Sequence, residues 1–152
     1  MKKVISVVSD THNFFVKNIV EALEGSDLII HAGDIGNQAI IDKLEKIAKV
    51  VAVRGNSDYG DWAKKYFWHQ SVNVFGKNIY VVHDLEDIDF DPKEKGIDMV
   101  VSGHTHKPKI ETIDGVIYLN PGAILTPTTF ARVNVTDDNI GCEIIAIGFS
   151  TK

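Results

Sequence analysis

Two histidines stand two residues apart in "GHTHKP", Gly103 to Pro108, in a chain that has six histidines in all. Either the pair is an accident of a surface loop, or both imidazoles offer neutral nitrogens to something that needs ligands. Side chains of similar competence recur at four other places. "SDTHN" holds Asp10 and His12, "HAGDIGN" holds Asp34, "RGNSD" holds Asn56 and Asp58, and "YVVHD" holds His83. Each alone has a plainer reading. A lone loop aspartate ahead of a helix is a cap, "GNSD" is a turn, and His83 is a hydrogen-bonded core histidine. As a set, imidazoles, carboxylates and an amide oxygen suit Mn²⁺, Fe²⁺, Co²⁺, Ni²⁺ or Zn²⁺, and the lack of thiolates argues against a structural zinc site.

The elements that must position these residues can be read from periodicity. "KVISVVS" (Lys3–Ser9) is β-branched and apolar almost throughout, the pattern of a strand buried on both faces. Val16, Ile19, Val20 and Leu23 recur at helical spacing before Gly25, a stop signal. "DLIIH" is the next strand, Ile40, Ile41, Leu44 and Ile47 a second helical stripe, and "VVAV" (Val50–Val53) a third strand. That alternation predicts a parallel α/β layer. Beyond Asp61 the pattern predicts mostly antiparallel strands, with hairpins at Gly76-Lys77, at Asp114-Gly115 and at "TDDN", and a buried strand in "IDMVVS". The fold expected is a four-layer α/β/β/α sandwich of two mixed sheets, one domain over residues 1–152. Its polar motifs fall at strand ends, where α/β sheets bind ligands.

Composition narrows the partners. A chain of 152 residues can bury a real core. With 21 acidic residues against 16 basic ones and a formal net charge of -5, no general nucleic-acid coating is expected. Two dications against two aspartates would still leave a local positive charge for one phosphate. The apolar run after Lys2-Lys3 is too short for a signal peptide, and no stretch approaches a membrane span. With Cys142 as the single cysteine, a reducing cytoplasm is the expected location. A homo-oligomer is left open.

Taken in order, these motifs resemble the calcineurin-type metallophosphoesterase superfamily, whose pattern is D-x-H, G-D, G-N-H-[DE], a later histidine and G-H-x-H. The resemblance runs from Val4 to Gly122 and ends in "NPGA" (Asn120–Ala123), similar to the closing "NPGS" of the small bacterial and archaeal phosphodiesterases of that family. It implies a first metal held by Asp10, His12, Asp34 and His106, and a second held by Asn56, His83, His104 and the same Asp34. Mn²⁺ or Ni²⁺ is expected first. Gly103 would let its loop approach the metals closely, and Asp58 and His31 would orient ligands. Asn56, Asp58 and His104 are the expected catalytic residues, with Phe14 and Asn120 at the substrate.

The chain departs from the family pattern in three places. Ser57 stands where many members carry a histidine that helps protonate the leaving group. Asp84 follows His83 where glycine is commoner, and Asn13 replaces the glycine after "DTH". The activity expected is hydrolysis of a small phosphate ester, a diester before a monoester, by a hydroxide held between two metals. Phe14, Tyr59 and Trp62 follow ligand loops and suggest a stacking platform for a nucleotide-like substrate, unless these rings pack into the core or an oligomer contact. The main alternative is a non-catalytic scaffold like the retromer subunit that shares this fold. A metallo-β-lactamase type hydrolase is set aside, because "HTHKPK" lacks the aspartate and third histidine of an H-x-H-x-D-H cluster.

Overall fold

The run of branched apolar residues after Lys2 forms β1 (Lys2–Val8), buried from Ile5 onward. The computed structural model describes residues 1–12, 17–124 and 128–147. After β1 come α1 (Lys17–Leu23), β2 (Leu28–His31), α2 (Gln38–Glu45) and β3 (Lys49–Ala52). β1 pairs with β2 and β2 with β3, both in parallel, as the strand-helix alternation predicts. α1 brings Ile19 and Leu23, and α2 brings Ile40, Ile41 and Leu44, onto Val8 and Ile29 of the sheet's outer face.

A 3₁₀ turn (Asp61–Lys65) leads into β4 (His69–Val74), β5 (Lys77–Val82), β6 (Met99–Val101), β7 (Lys109–Ile113) and β8 (Val116–Asn120). β9 (Thr128–Thr136) and β10 (Ile140–Ile147) then return to the first sheet. The strand orders are β10-β9-β1-β2-β3 and β4-β5-β6-β8-β7. The inner faces meet in one core that includes Ile5, Val7, Ile30, Val81, Met99 and Leu119. Two mixed sheets face to face, with α-helices outside the first, are the sandwich expected.

Three details differ from the expectation. The first hairpin turns at Phe75-Gly76, one residue earlier than Gly76-Lys77, and Val74 pairs with Lys77. Its two-residue loop needs positive φ at both central positions, and Phe75 (50°) and Gly76 (82°) supply it. In the second sheet β5, β6 and β8 run parallel to one another, so half its pairings are parallel. The long stretch 84–98 and the excursion of β7 serve as the crossovers that parallel strands require. Finally, the outer face of that sheet, around Val82, Val100 and Val116, is covered by Ile88 and Ile97. Their stretch forms only the 3₁₀ turn Leu85–Asp87. Pro92 and Gly96 interrupt it, so the fourth layer is irregular chain and no α-helix. Among the described residues no helix is long and apolar enough to cross a membrane.

Candidate metal centre

Parallel pairing aligns the ends of β1, β2 and β3, and the ends of β5 and β6 align in the facing sheet. Asp10, Asp34, Asn56, His83 and His104 therefore converge at one end of the sandwich. Backbone bonds lock the loops together: Asp10 N–H donates to the Gly33 carbonyl at 3.0 Å and His12 N–H to the Asp34 carbonyl at 2.9 Å. Left-handed backbone is concentrated here. Asp10 (φ 55°), His12 (45°), Asp34 (55°), His104 (71°) and His106 (64°) all adopt it. Among the described residues the other non-glycine cases are Phe75 and Asp114 in hairpin turns. Such conformations cost about 1–3 kcal/mol each and persist where the surroundings over-determine them.

Two groups of ligand atoms result, each lying within 4.8 Å of one another: Asp10, His12 and His106, and Asp34, His83 and His104. In the first, His106 Nε2 is 3.3 Å and His12 Nε2 3.6 Å from Asp10 Oδ1. In the second, His83 Nε2 is 3.2 Å from Asp34 Oδ2. The same Oδ2 is 3.4 Å from His12 Nε2, so Asp34 faces both groups. Asn56 Oδ1 joins the second group through His104 Nδ1, 3.2 Å away. Asp10, Asp34 and His83 form a buried floor, while His12, Asn56, His104 and His106 form an exposed mouth.

Divalent cations fit this floor. His83 donates Nδ1–H to the Ala32 carbonyl at 2.7 Å, which leaves Nε2 to face two carboxylates. That Nε2 and Asp10 Oδ1 are buried without a hydrogen-bond partner. Lone pairs in opposition repel unless a proton or a cation lies between them, and each unmatched buried group costs about 1–3 kcal/mol. A histidine whose second nitrogen is spent on a carbonyl is the usual arrangement at a metal. Burial opposes the His83 imidazolium, but Asp34, the Ala32 carbonyl and Asp10 outweigh it and raise the pKa. Burial likewise opposes the Asp34 carboxylate, yet His83 and the Ser57 N–H hold it well below the usual range.

The remaining polar residues brace this arrangement. Asp10 Oδ2 accepts from Ser9 Oγ at 2.6 Å and from His104 N–H at 3.0 Å. His31 Nδ1 accepts from Gly33 N–H at 3.1 Å, so its proton is on Nε2, 3.0 Å from Thr11 Oγ1. Thr11 in turn donates to the Ile35 carbonyl at 2.5 Å. Burial first, and then the charge of His83, lower the His31 pKa to about 3, so the ring is neutral. Close approach depends on glycine: a Cβ on Gly103 would stand 2.6 Å from Asp10 Oδ2, and one on Gly33 2.7 Å from His83 Nδ1.

Several expected site residues also hold the loops of the site together. Asp58, expected in catalysis, spends its carboxylate on three backbone N–H groups, those of Ile35 (3.1 Å), Gly36 (3.1 Å) and Gly55 (2.9 Å). It ties the Asp34 loop to the Asn56 loop. Asn120, expected at the substrate, donates to the Gly103 carbonyl and Thr105 Oγ1 and accepts from Gly122 N–H. It shapes the Gly103–His106 loop. Trp62 packs in the helix-side core, edge-on to Tyr66, whereas Tyr59 is 79% exposed. Phe14 and Asn13 lie outside the described residues. His69 stacks on Tyr80, away from the centre. Ser9 and Thr11 escaped notice in the sequence, although both are short polar residues flanking Asp10 at the end of a buried strand.

A sequence profile of the calcineurin-like phosphoesterase superfamily domain matches residues 3–138. The chain belongs to that superfamily. A probable metallophosphoesterase of Methanocaldococcus jannaschii is 36% identical over 134 residues, 81% of this chain and 69% of that one. A phosphodiesterase of the same organism is 30% identical over 140 residues, covering 78% and 82%. Among solved structures, an archaeal phosphodiesterase matches with a TM-score of 0.79 at 24% identity, over 97% of this chain and 100% of that one. Vps29 of Chaetomium thermophilum matches with 0.77 at 16%, over 95% and 97%. At those identities the two structures bear on the fold alone. Both place this metallophosphoesterase in the architecture just described.

Proposed function

We propose that this metallophosphoesterase is a two-metal phosphodiesterase, a single domain over residues 1–152 acting in the cytoplasm on a small phosphate ester. Asp10, His12 and His106 would hold one metal, and Asn56, His83 and His104 the other, with Asp34 shared. The observation that carries this reading is the position of Asp34 Oδ2, 3.4 Å from His12 Nε2 and 3.2 Å from His83 Nε2, one histidine from each group. The chemistry such a pair would supply, with Mn²⁺ or Ni²⁺ in preference to Fe²⁺, Co²⁺ or Zn²⁺, would be neutralisation of phosphoryl charge and a lowered pKa for water.

The chain's own residues do the positioning. The His31–Thr11 chain of hydrogen bonds and the Asp58 carboxylate fix the Asp34 loop from beneath, which keeps the ligands in place without reorganisation. Asn56 and His104, exposed at the mouth, are the groups that meet a phosphate from solvent. Ser57 donates its backbone N–H to Asp34 Oδ1 at 3.0 Å, and its side chain also bonds that carboxylate; a serine hydroxyl is too weak an acid to replace a histidine at the leaving group. A role confined to holding a partner would not need the orphaned Asp10 Oδ1 and His83 Nε2.

A screen of phosphomonoesters, phosphodiesters and cyclic nucleotides, with Mn²⁺, Ni²⁺ and Co²⁺ supplied separately, tests this reading. Metal-dependent cleavage of diesters, faster than of monoesters, is expected. Absence of cleavage with every metal, in protein shown to bind metal, contradicts it.

A further inference from the structure

His104 and Asp84 stand on the wall between two cavities. On one side a pocket of about 240 Å³ is lined by Arg54, Asn56, Trp68 and His83 as well. On the other a groove of about 740 Å³ runs from Gly103 and His104 past Leu85 and Lys107 to Tyr118 and Ile113 on the outer face of β8 and β7. Sites for whole small-molecule ligands measure roughly 300–1,000 Å³. The groove falls in that range and the pocket below it. A phosphodiester centred beside His104 has two organic arms, and the two cavities offer room for one large arm and one compact arm.

The walls say what those arms are. Leu85 and Ile113 are 44% and 46% exposed, and together with Tyr118 they give the groove an apolar lining. Its charges are three carboxylates, Asp84, Glu86 and Glu111, against Lys107 and Lys109, and Lys109 is already paired with Glu111 at 3.0 Å. That balance disfavours an arm with a further phosphate. In the pocket the Arg54 guanidinium lies 4.2 Å over the Trp68 ring and donates to the Asp58 carbonyl at 2.9 Å. It closes the pocket with a flat, rigid wall.

From this we infer that the substrate is an asymmetric phosphodiester whose larger arm is an uncharged nucleoside, lying in the groove along Leu85, Tyr118 and Ile113, with the compact leaving arm in the pocket. The inference rests on the phosphodiesterase reading and names its substrate class. Oligonucleotides and polyphosphates are excluded as preferred substrates, because their arms bring phosphate against Asp84, Glu86 and Glu111.

The test uses Leu85→Glu and Ile113→Glu, both at exposed positions that tolerate a charge without loss of the fold. kcat/KM is measured with thymidine 5′-(p-nitrophenyl phosphate) and with methyl p-nitrophenyl phosphate, which share a leaving group and differ in the retained arm. In each variant the thymidine-to-methyl ratio should fall about tenfold. Calorimetric binding of thymidine 5′-monophosphate should weaken about tenfold more than that of inorganic phosphate. Unchanged ratios, with both esters still cleaved, overturn the groove assignment and leave the phosphodiesterase reading standing. If neither ester is cleaved with any metal, that reading falls, and the binding comparison alone decides the groove: a selective loss for the nucleotide supports it and an equal loss overturns it.

Discussion

His31 lies wholly buried beneath the centre, and its pKa is lowered from 6.5 to about 3. Burial is the larger cause and the charge of His83 the next. In the unfolded chain a histidine titrates near 6.5, so from about pH 6.5 down to about 3 the unfolded state binds a proton that the folded state refuses. The stabilisation is complete above pH 6.5 and is lost progressively as the pH falls towards 3. Over the whole window it amounts to about 5 kcal/mol, and at pH 4.5 about 3 kcal/mol has gone. Against a total stability of roughly 5–15 kcal/mol for a domain, that is a large share. His31→Gln removes the titration while keeping an acceptor for Gly33 N–H and a donor for Thr11. Urea unfolding followed by circular dichroism, in chelator so that metal release does not enter, should be run on both proteins at pH 7, 5.5 and 4.5. The parent should lose about 3 kcal/mol more than His31→Gln between pH 7 and 4.5. Parallel profiles would refute the reasoning, because they would mean that no neutral buried imidazole supports this loop.

Asp58→Ala leaves the N–H groups of Ile35, Gly36 and Gly55 without their acceptor. It should destabilise the protein by about 2–4 kcal/mol in the same assay, and calorimetry should show weaker metal binding as the Asp34 loop loosens. Gly33→Ala sets a Cβ 2.7 Å from His83 Nδ1 at a φ of 100°, so metal affinity should fall at least about tenfold while far-ultraviolet circular dichroism stays native. With Ser57 in the histidine position, rates on a series of diesters should depend steeply on leaving-group pKa, and Ser57→His should flatten that slope by helping alkyl esters most. A slope that is already flat in the parent, with chemistry rate-limiting, would show that another acid is at work.

The ligand loops could be read from sequence because each follows a buried strand whose apolar run breaks abruptly at a polar residue. Parallel pairing then brings those breaks to one edge, which is why Asp10, Asp34 and Asn56 meet. What sequence did not disclose is how the polar groups divide their hydrogen bonds. Asp58 looks as competent a ligand as Asp34, yet it is consumed by N–H groups 22 and 23 residues away. Asn120 is likewise consumed by a loop 15 to 17 residues earlier. Such allegiances depend on register between elements, and no local pattern encodes them. The same limit applies to the second sheet: the hairpins legible at the turns form, but no local pattern says that long crossovers run β5, β6 and β8 in parallel. Trp62 follows a ligand loop, but its ring turns into the helix-side core beside Tyr66.

A pair of metals joined through Asp34 has a direct signature in metal stoichiometry. Protein stripped with chelator, titrated calorimetrically with Mn²⁺ and checked by plasma mass spectrometry after desalting, should hold two equivalents per chain. His106→Ala should retain about one, since three ligands of the second group and Asp34 survive, and Asp34→Ala should retain less than His106→Ala. A parent that saturates at one equivalent, or an Asp34→Ala variant that holds as much metal as the parent, would rule out a shared pair.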